Sequence, residues 1–190
     1  MPQSFLNRTD IDSIGLQNNN IGNLRGSDAW EGKIGMSASG GYVQFADISW
    51  GIRAFLVNLY TQISKYGLDT PKKYLDKYAP NFENDTTNYI HKFTTDLGIR
   101  ENDKIPTDTN NLRKIVRSQM EMELGHRYSD LITDEDIEVG ISRLNNKVLS
   151  FFGATAVYIK NNKVKSIVII GVVLLALFGG YKYAKTKNIL

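Results

Sequence analysis

The sequence has no cysteine, only four prolines and only two histidines among its 190 residues. Without cysteine there is no disulfide framework and no thiolate metal site, so side-chain packing alone must hold the core. His91 and His126 lie far apart and have no partners at ligand spacing, and neither a structural metal nor any other cofactor is expected. There is no G-x-S-x-G turn, no phosphate-cradling glycine loop and no His near a candidate Ser. Nucleophilic Ser or Cys chemistry therefore has no support. The first 14 residues also lack the charged start and apolar stretch of a signal peptide, and they read as an N-terminal arm or a loosely packed lead-in.

Acidic residues are missing from one region. After Ile159 there are six lysines and no Asp or Glu. The other 17 basic residues face 20 acidic ones, so the first 159 positions carry −3 while the whole chain carries +3. A mildly acidic body with a basic tail is not the profile of a nucleic-acid binder, and no nucleic-acid partner is expected. Between its lysines the tail is apolar. Residues 166–183 would rise about 27 Å as a helix, just enough for a bilayer core with the flanking lysines snorkelling. This stretch reads as a C-terminal transmembrane helix followed by a basic stub, 184–190; a buried core helix is the alternative. Residues 148–165 begin with the short apolar run VLSFFGATAVYI, which suits a core or interfacial segment joining body to tail.

The body, residues 15–147, is long enough for one sizeable core. Its strongest pattern runs from Trp50 to Tyr66, where Ile52, Phe55, Leu56, Leu59 and Ile63 recur at three- and four-residue spacing. Asp47 or Ser49 can cap this helix and Gly67 can end it. A second helix follows Thr70-Pro71 and stops before Pro80; a third opens at Asn84-Asp85 and stops at Gly98. A fourth runs from about Asp108 to Leu124. Thr133 caps a fifth whose inward set is Ile137, Ile141, Leu144 and Val148, with Asp134, Glu135 and Asp136 at the positive end of its dipole. A hairpin is expected near residues 30–46.

Ahead of the first long helix lies Asn18-Asn19-Asn20-Ile21-Gly22-Asn23-Leu24-Arg25, then Trp30-Glu31-Gly32, Tyr42-Val43-Gln44-Phe45 and Trp50-Gly51-Ile52-Arg53. Asn and Gly tolerate left-handed backbone, and Asn side chains bond neighbouring backbone groups. Two tryptophans around a polar loop read either as the wall of a groove for a polar polymer or as a hairpin capped by core aromatics. The order resembles a family of phage virion proteins with the hallmark N-N-N-P-G-N-I-R, W-Q-G and G-I-R-A; this chain has Ile21 for the Pro and Glu31 where Gln is frequent. The resemblance spans roughly residues 15–145. The same Asn-rich segment is similar to part of lysozyme-like peptidoglycan hydrolases, where it follows the catalytic Glu; here the corresponding Glu would come last, a circular permutation. Glu123-Leu124-Gly125-His126-Arg127-Tyr128 looks like the virion family's E-N-G-x-x-P-Y, with departures at Leu124 and Arg127.

Two carboxyls are catalytic candidates. Glu123 falls on the inward stripe of the fourth helix with Leu112, Ile115, Val116, Gln119 and Met120, at the negative end of the helix dipole. Poor hydration and that dipole both raise its pKa, as a glycosidic general acid requires. The alternative is a buried ion pair with Arg53 or Arg127. Glu83, before Asn84-Asp85, matches the family's E-N-(D/N)-T and reads either as a catalytic acid or as a helix-start acid. Asn19, Asn23, Trp30 and Tyr42 are the candidate sugar-binding residues, because amides and aromatic faces suit N-acetylated sugars.

The sequence thus predicts a mainly α, lysozyme-like helical domain with a short β-hairpin and a C-terminal transmembrane helix. The resemblance implies a phage protein of the virion membrane that cleaves peptidoglycan as a lytic transglycosylase or muramidase. Its partners would be peptidoglycan, a lipid bilayer through residues 166–183, and capsid proteins. The rival is an inactive virion protein that links capsid to membrane or binds glycan passively.

Overall fold

Helix boundaries in the computed structural model, which describes residues 1–78 and 85–153, follow capping side chains. The elements are α1 (Ile14–Gln17), β1 (Lys33–Met36), β2 (Val43–Phe45), α2 (Ile48–Tyr66), α3 (Pro71–Tyr78), α4 (Thr86–Leu97), α5 (Thr109–Leu124), α6 (His126–Ser129), α7 (Asp134–Ser142) and α8 (Asn146–Phe151). Asp47 accepts hydrogen bonds from the Ser49 and Trp50 amides, which starts α2 two residues ahead of its first tryptophan. Asp85, Asp108, Thr133 and Asn145 cap α4, α5, α7 and α8 in the same way. Thr133 and Asp136 form a reciprocal capping box. The fifth expected helix is split, because Asn145 accepts from the Val148 amide and opens a new helix. Its expected inward residues Ile137, Ile141, Leu144 and Val148 are all buried nonetheless.

The strands form one antiparallel pair, with Met36 opposite Val43, Gly35 opposite Gln44, and a bulge between Lys33 and Gly35. Helix α2 is the central element and packs against α7, α8 and β2, while α5 packs against α4 and α1. The fully buried Phe45, Ile52, Phe55, Leu56, Leu59, Ile115, Val116 and Met120 come from β2, α2 and α5.

The N-terminal residues are not the loose arm the sequence suggests. Phe5 and Ile11 are buried. Both the amide and the side chain of Gln3 donate to Asp136, at 2.9 and 2.8 Å, and the Gln3 carbonyl accepts from the Ile48 amide at 3.0 Å. The tie is the buried Asn18-Asn19-Asn20 turn. The Asn19 carboxamide accepts from the Phe5 amide at 2.8 Å and donates to the Phe45 carbonyl at 2.9 Å and to Ser4 Oγ at 3.0 Å. Asn20 donates to the Leu24 and Val43 carbonyls, each at 2.9 Å, and accepts from the Leu24 amide at 3.0 Å. Helix α2 crosses this turn so closely that a Cβ on Gly51 would stand 1.8 Å from the Asn19 carbonyl oxygen. Glycine is required there by space alone.

One element of the expected fold class is corrected. Among the described residues no helix is long and apolar enough to cross a membrane. The stretch 166–183, on which the transmembrane expectation rested, lies outside the described residues, as do the linker beyond 153 and the stub 184–190. The fold is mainly helical with a two-stranded sheet.

Asn19→Ala removes the partners of a buried amide and a buried carbonyl at once. At about 1–3 kcal/mol for each unsatisfied group, the cost is expected to be about 2–6 kcal/mol. Urea unfolding measures it through the midpoint. A loss under about 1 kcal/mol would show that the turn does not hold the arm to β2.

Candidate functional site

Three chain segments meet at the C-terminal end of α5. The inward stripe of α5 is as the periodicity requires: Leu112, Ile115, Val116, Gln119 and Met120 are fully buried. Glu123 continues that stripe into a half-buried position near the helix end. Glu121, two residues earlier, faces away and pairs with Lys92 at 2.6 Å.

From the Asn-rich turn, Asn23 donates its side-chain N–H to Glu123 Oε2. Its backbone is left-handed (φ 45°), which Asn tolerates, and its amide donates to the Asn20 carbonyl at 3.1 Å. From α3, the Tyr78 hydroxyl donates to the Gly22 carbonyl and accepts from Gln119 Nε2, both at 2.7 Å, and it is also a hydrogen-bonding neighbour of Glu123. Helix α1 closes the floor. A Cβ on Gly15 would stand 2.8 Å from Asn23 Oδ1 and 2.9 Å from Leu124 Cδ2, so α1 can lie against α5 only with glycine at that position.

The result is an open pocket of about 380 Å³ lined by Asp12, Ser13, Asn23, Tyr42, Glu123 and Tyr128 among others. Its size is within the range of small-molecule sites. Burial pushes the Glu123 carboxyl above its ordinary value, against the opposing hydrogen bond from Asn23 and the nearby Tyr78 hydroxyl. Burial and the nearby Glu123 charge also raise the Tyr78 and Tyr89 phenols. Among the described residues no cation contributes to the Glu123 titration. Arg53, the first expected partner, pairs with Glu31, and Arg127 lies over the Tyr128 ring at 5.2 Å. A carboxyl held this way keeps its proton to higher pH than a solvated one and can deliver it to an oxygen bound in the pocket.

The structure brings Glu123, Asn23 and Tyr42 together in one pocket. Tyr42 is oriented by Arg25, whose guanidinium lies 4.4 Å from the ring centroid. Asn19 lies elsewhere, fully buried in the turn. Trp30 is also elsewhere, packed with Trp50 and Leu24 on Val43, Phe45 and Ala54. Glu83 lies outside the described residues. Asp12 and Tyr128 are pocket residues that sequence reasoning missed as site residues. The Tyr128 hydroxyl donates to Asp12 Oδ1 and accepts from the Asp12 amide at 3.3 Å. This pairing of distant segments has no signature in residue spacing.

No family model matches the chain. The chain is 34% identical over 130 residues to Protein P5 of Pseudoalteromonas phage PM2, a match covering 66% of this chain and 78% of that protein.

The raised Glu123 pKa makes a signed prediction about stability. The native state holds this proton more tightly than the unfolded chain, so the group costs nothing at pH below its unfolded value and destabilises progressively as pH rises through its native one. Glu123→Gln removes that cost. Measured by urea unfolding at pH 4 and pH 8, the variant is expected to gain on wild type as pH rises. A stability difference that is flat with pH, or that moves the other way, would show that the carboxyl is as well solvated as in the open chain.

Proposed function

The chain belongs to the family of Protein P5 of Pseudoalteromonas phage PM2, and on that premise we propose that it is a virion-associated phage protein that cleaves the glycan strands of peptidoglycan, with Glu123 as the general acid. The observation that carries this reading is the half-buried Glu123 carboxyl, raised in pKa by burial and opening on a polar pocket with no cation among the described residues to neutralise it.

The chemistry follows from that setting. Cutting a glycosidic bond requires a proton on the departing oxygen as the sugar carbon acquires positive charge. A carboxyl whose pKa is raised by burial supplies it, and its anion then lies beside the developing charge. Asn23 holds one carboxyl oxygen and fixes the side chain's direction. Tyr42 and Tyr128 provide aromatic faces with hydroxyl tips, a surface suited to the apolar face and hydroxyl edge of an N-acetylated sugar. The similarity of the Asn-rich segment to part of lysozyme-like hydrolases supports the same substrate class. Wall penetration at the start of infection is the step such an activity would serve.

Zymography of wild type beside Glu123→Gln and Glu83→Gln tests the assignment. Glu123→Gln keeps the shape but cannot donate the proton, so clearing should fall at least about a hundredfold in a folded protein. Glu83→Gln should retain turnover. An active Glu123→Gln beside an inactive, folded Glu83→Gln would move the acid to Glu83. Three folded and equally inactive proteins would favour a structural virion protein with no cleaving activity.

A further inference from the structure

Resting on the glycan-cleaving reading, we propose that Asp12 is the second carboxylate of the pocket and acts as the base that activates water, so that the strand is cut by hydrolysis and not by internal transglycosylation.

Asp12 and Glu123 line the same pocket from the N-terminal side of α1 and the C-terminal end of α5. Their environments are opposite. Glu123 is half-buried beside Asn23 and Tyr78, while Asp12 is exposed to solvent at the pocket edge. Two carboxyls in unlike surroundings divide acid and base work between them. The contacts around Asp12 hold it in place. The Tyr128 hydroxyl donates to Oδ1 and receives the Asp12 amide, so both ends of the residue are tied to α6. The next residue, Ser13, caps α1 by accepting from the Leu16 amide. Gly15, one turn on, fixes α1 against Asn23 and Leu124, the neighbours of Glu123. The nearby Asp10 differs, since its carboxylate pairs with Arg8.

The step balances without any further reactant. Glu123 gives its proton to the glycosidic oxygen as the bond from that oxygen to the sugar's C1 breaks. A water molecule forms the new bond to C1 and passes its proton to Asp12. The products are a free hydroxyl on the leaving sugar and a reducing end on the other. Transfer of the Asp12 proton to solvent, and return of one to Glu123, resets the site. A one-carboxyl transglycosylase would have the sugar's own 6-hydroxyl attack C1 and leave an anhydro end, one water lighter.

The test is digestion of purified peptidoglycan by the full chain in ¹⁸O water, with mass spectrometry of the released fragments. Wild type should give reducing ends that carry one ¹⁸O. Asp12→Asn should lower their release at least about a hundredfold. Because the Asn side chain keeps an oxygen that accepts from the Tyr128 hydroxyl, its urea midpoint should match wild type. Tyr128→Phe, which frees the carboxylate without removing it, should lose less. Unlabelled anhydro ends from wild type, or full-rate labelled release by Asp12→Asn, would overturn the role of Asp12 and leave that of Glu123 standing. No release by wild type would overturn the glycan-cleaving reading and the Asp12 assignment together.

Discussion

Three consecutive asparagines, buried and bonded through their side chains, are what the rest of the structure depends on. Asn18 holds the α1 backbone through the Ile14 carbonyl at 2.8 Å, Asn19 joins the N-terminal residues to β2, and Asn20 closes the turn onto Leu24 and Val43. At Asn19 and Asn20 only a carboxamide can do this, because each side chain both donates and accepts in a place water does not reach. Aspartate would lack the donor and leucine would lack both. The turn also places Asn23 against Glu123, so the fold's most buried polar device sets the position of its candidate catalytic acid.

Two carboxyls, Asp136 buried and Glu123 half-buried, show how the same chemical group is driven in opposite directions. Burial pushes Asp136 upward, but four hydrogen bonds from Gln3 and Thr133, at 2.8 to 3.0 Å, hold it below its ordinary value. Glu123 is more deeply desolvated relative to the donors it receives, and it rises. The first serves as a clip between the N-terminus and α7. The second holds its proton to higher pH than a solvated carboxyl would, in a pocket open to solvent, a costly arrangement unless the proton has a use.

Much of this was legible in the sequence because it is local. The inward stripe of α5 is pure periodicity, and that periodicity alone puts Glu123 on the inward face. The caps at Asp47, Asp85 and Thr133 are short-range chemistry that reads directly from residue type. Asn23 and Tyr42, both expected to contact sugar, line the same pocket as Glu123. Asn19 and Trp30 share their composition signal but are engaged in holding the turn and the β2 cluster, and residue type alone does not separate an amide that binds sugar from one that binds backbone. The N-terminal residues looked loose because their stabilising contacts, Gln3 to Asp136 and Asp12 to Tyr128, join opposite ends of the chain. Only the fold could reveal the second carboxyl of the pocket. The membrane-spanning expectation came from a lysine-flanked apolar run, and no helix among the described residues has that character.

Sugar binding at the Glu123 pocket can be measured directly by following amide and side-chain NMR shifts while a chitooligosaccharide is titrated into the protein. If the pocket is a glycan site, Asn23, Tyr42, Glu123 and Tyr128 move first and saturate together, while Trp30 and the α3–α4 face stay still. Shifts confined to other surfaces, or none at millimolar sugar, would contradict the assignment of this pocket to glycan.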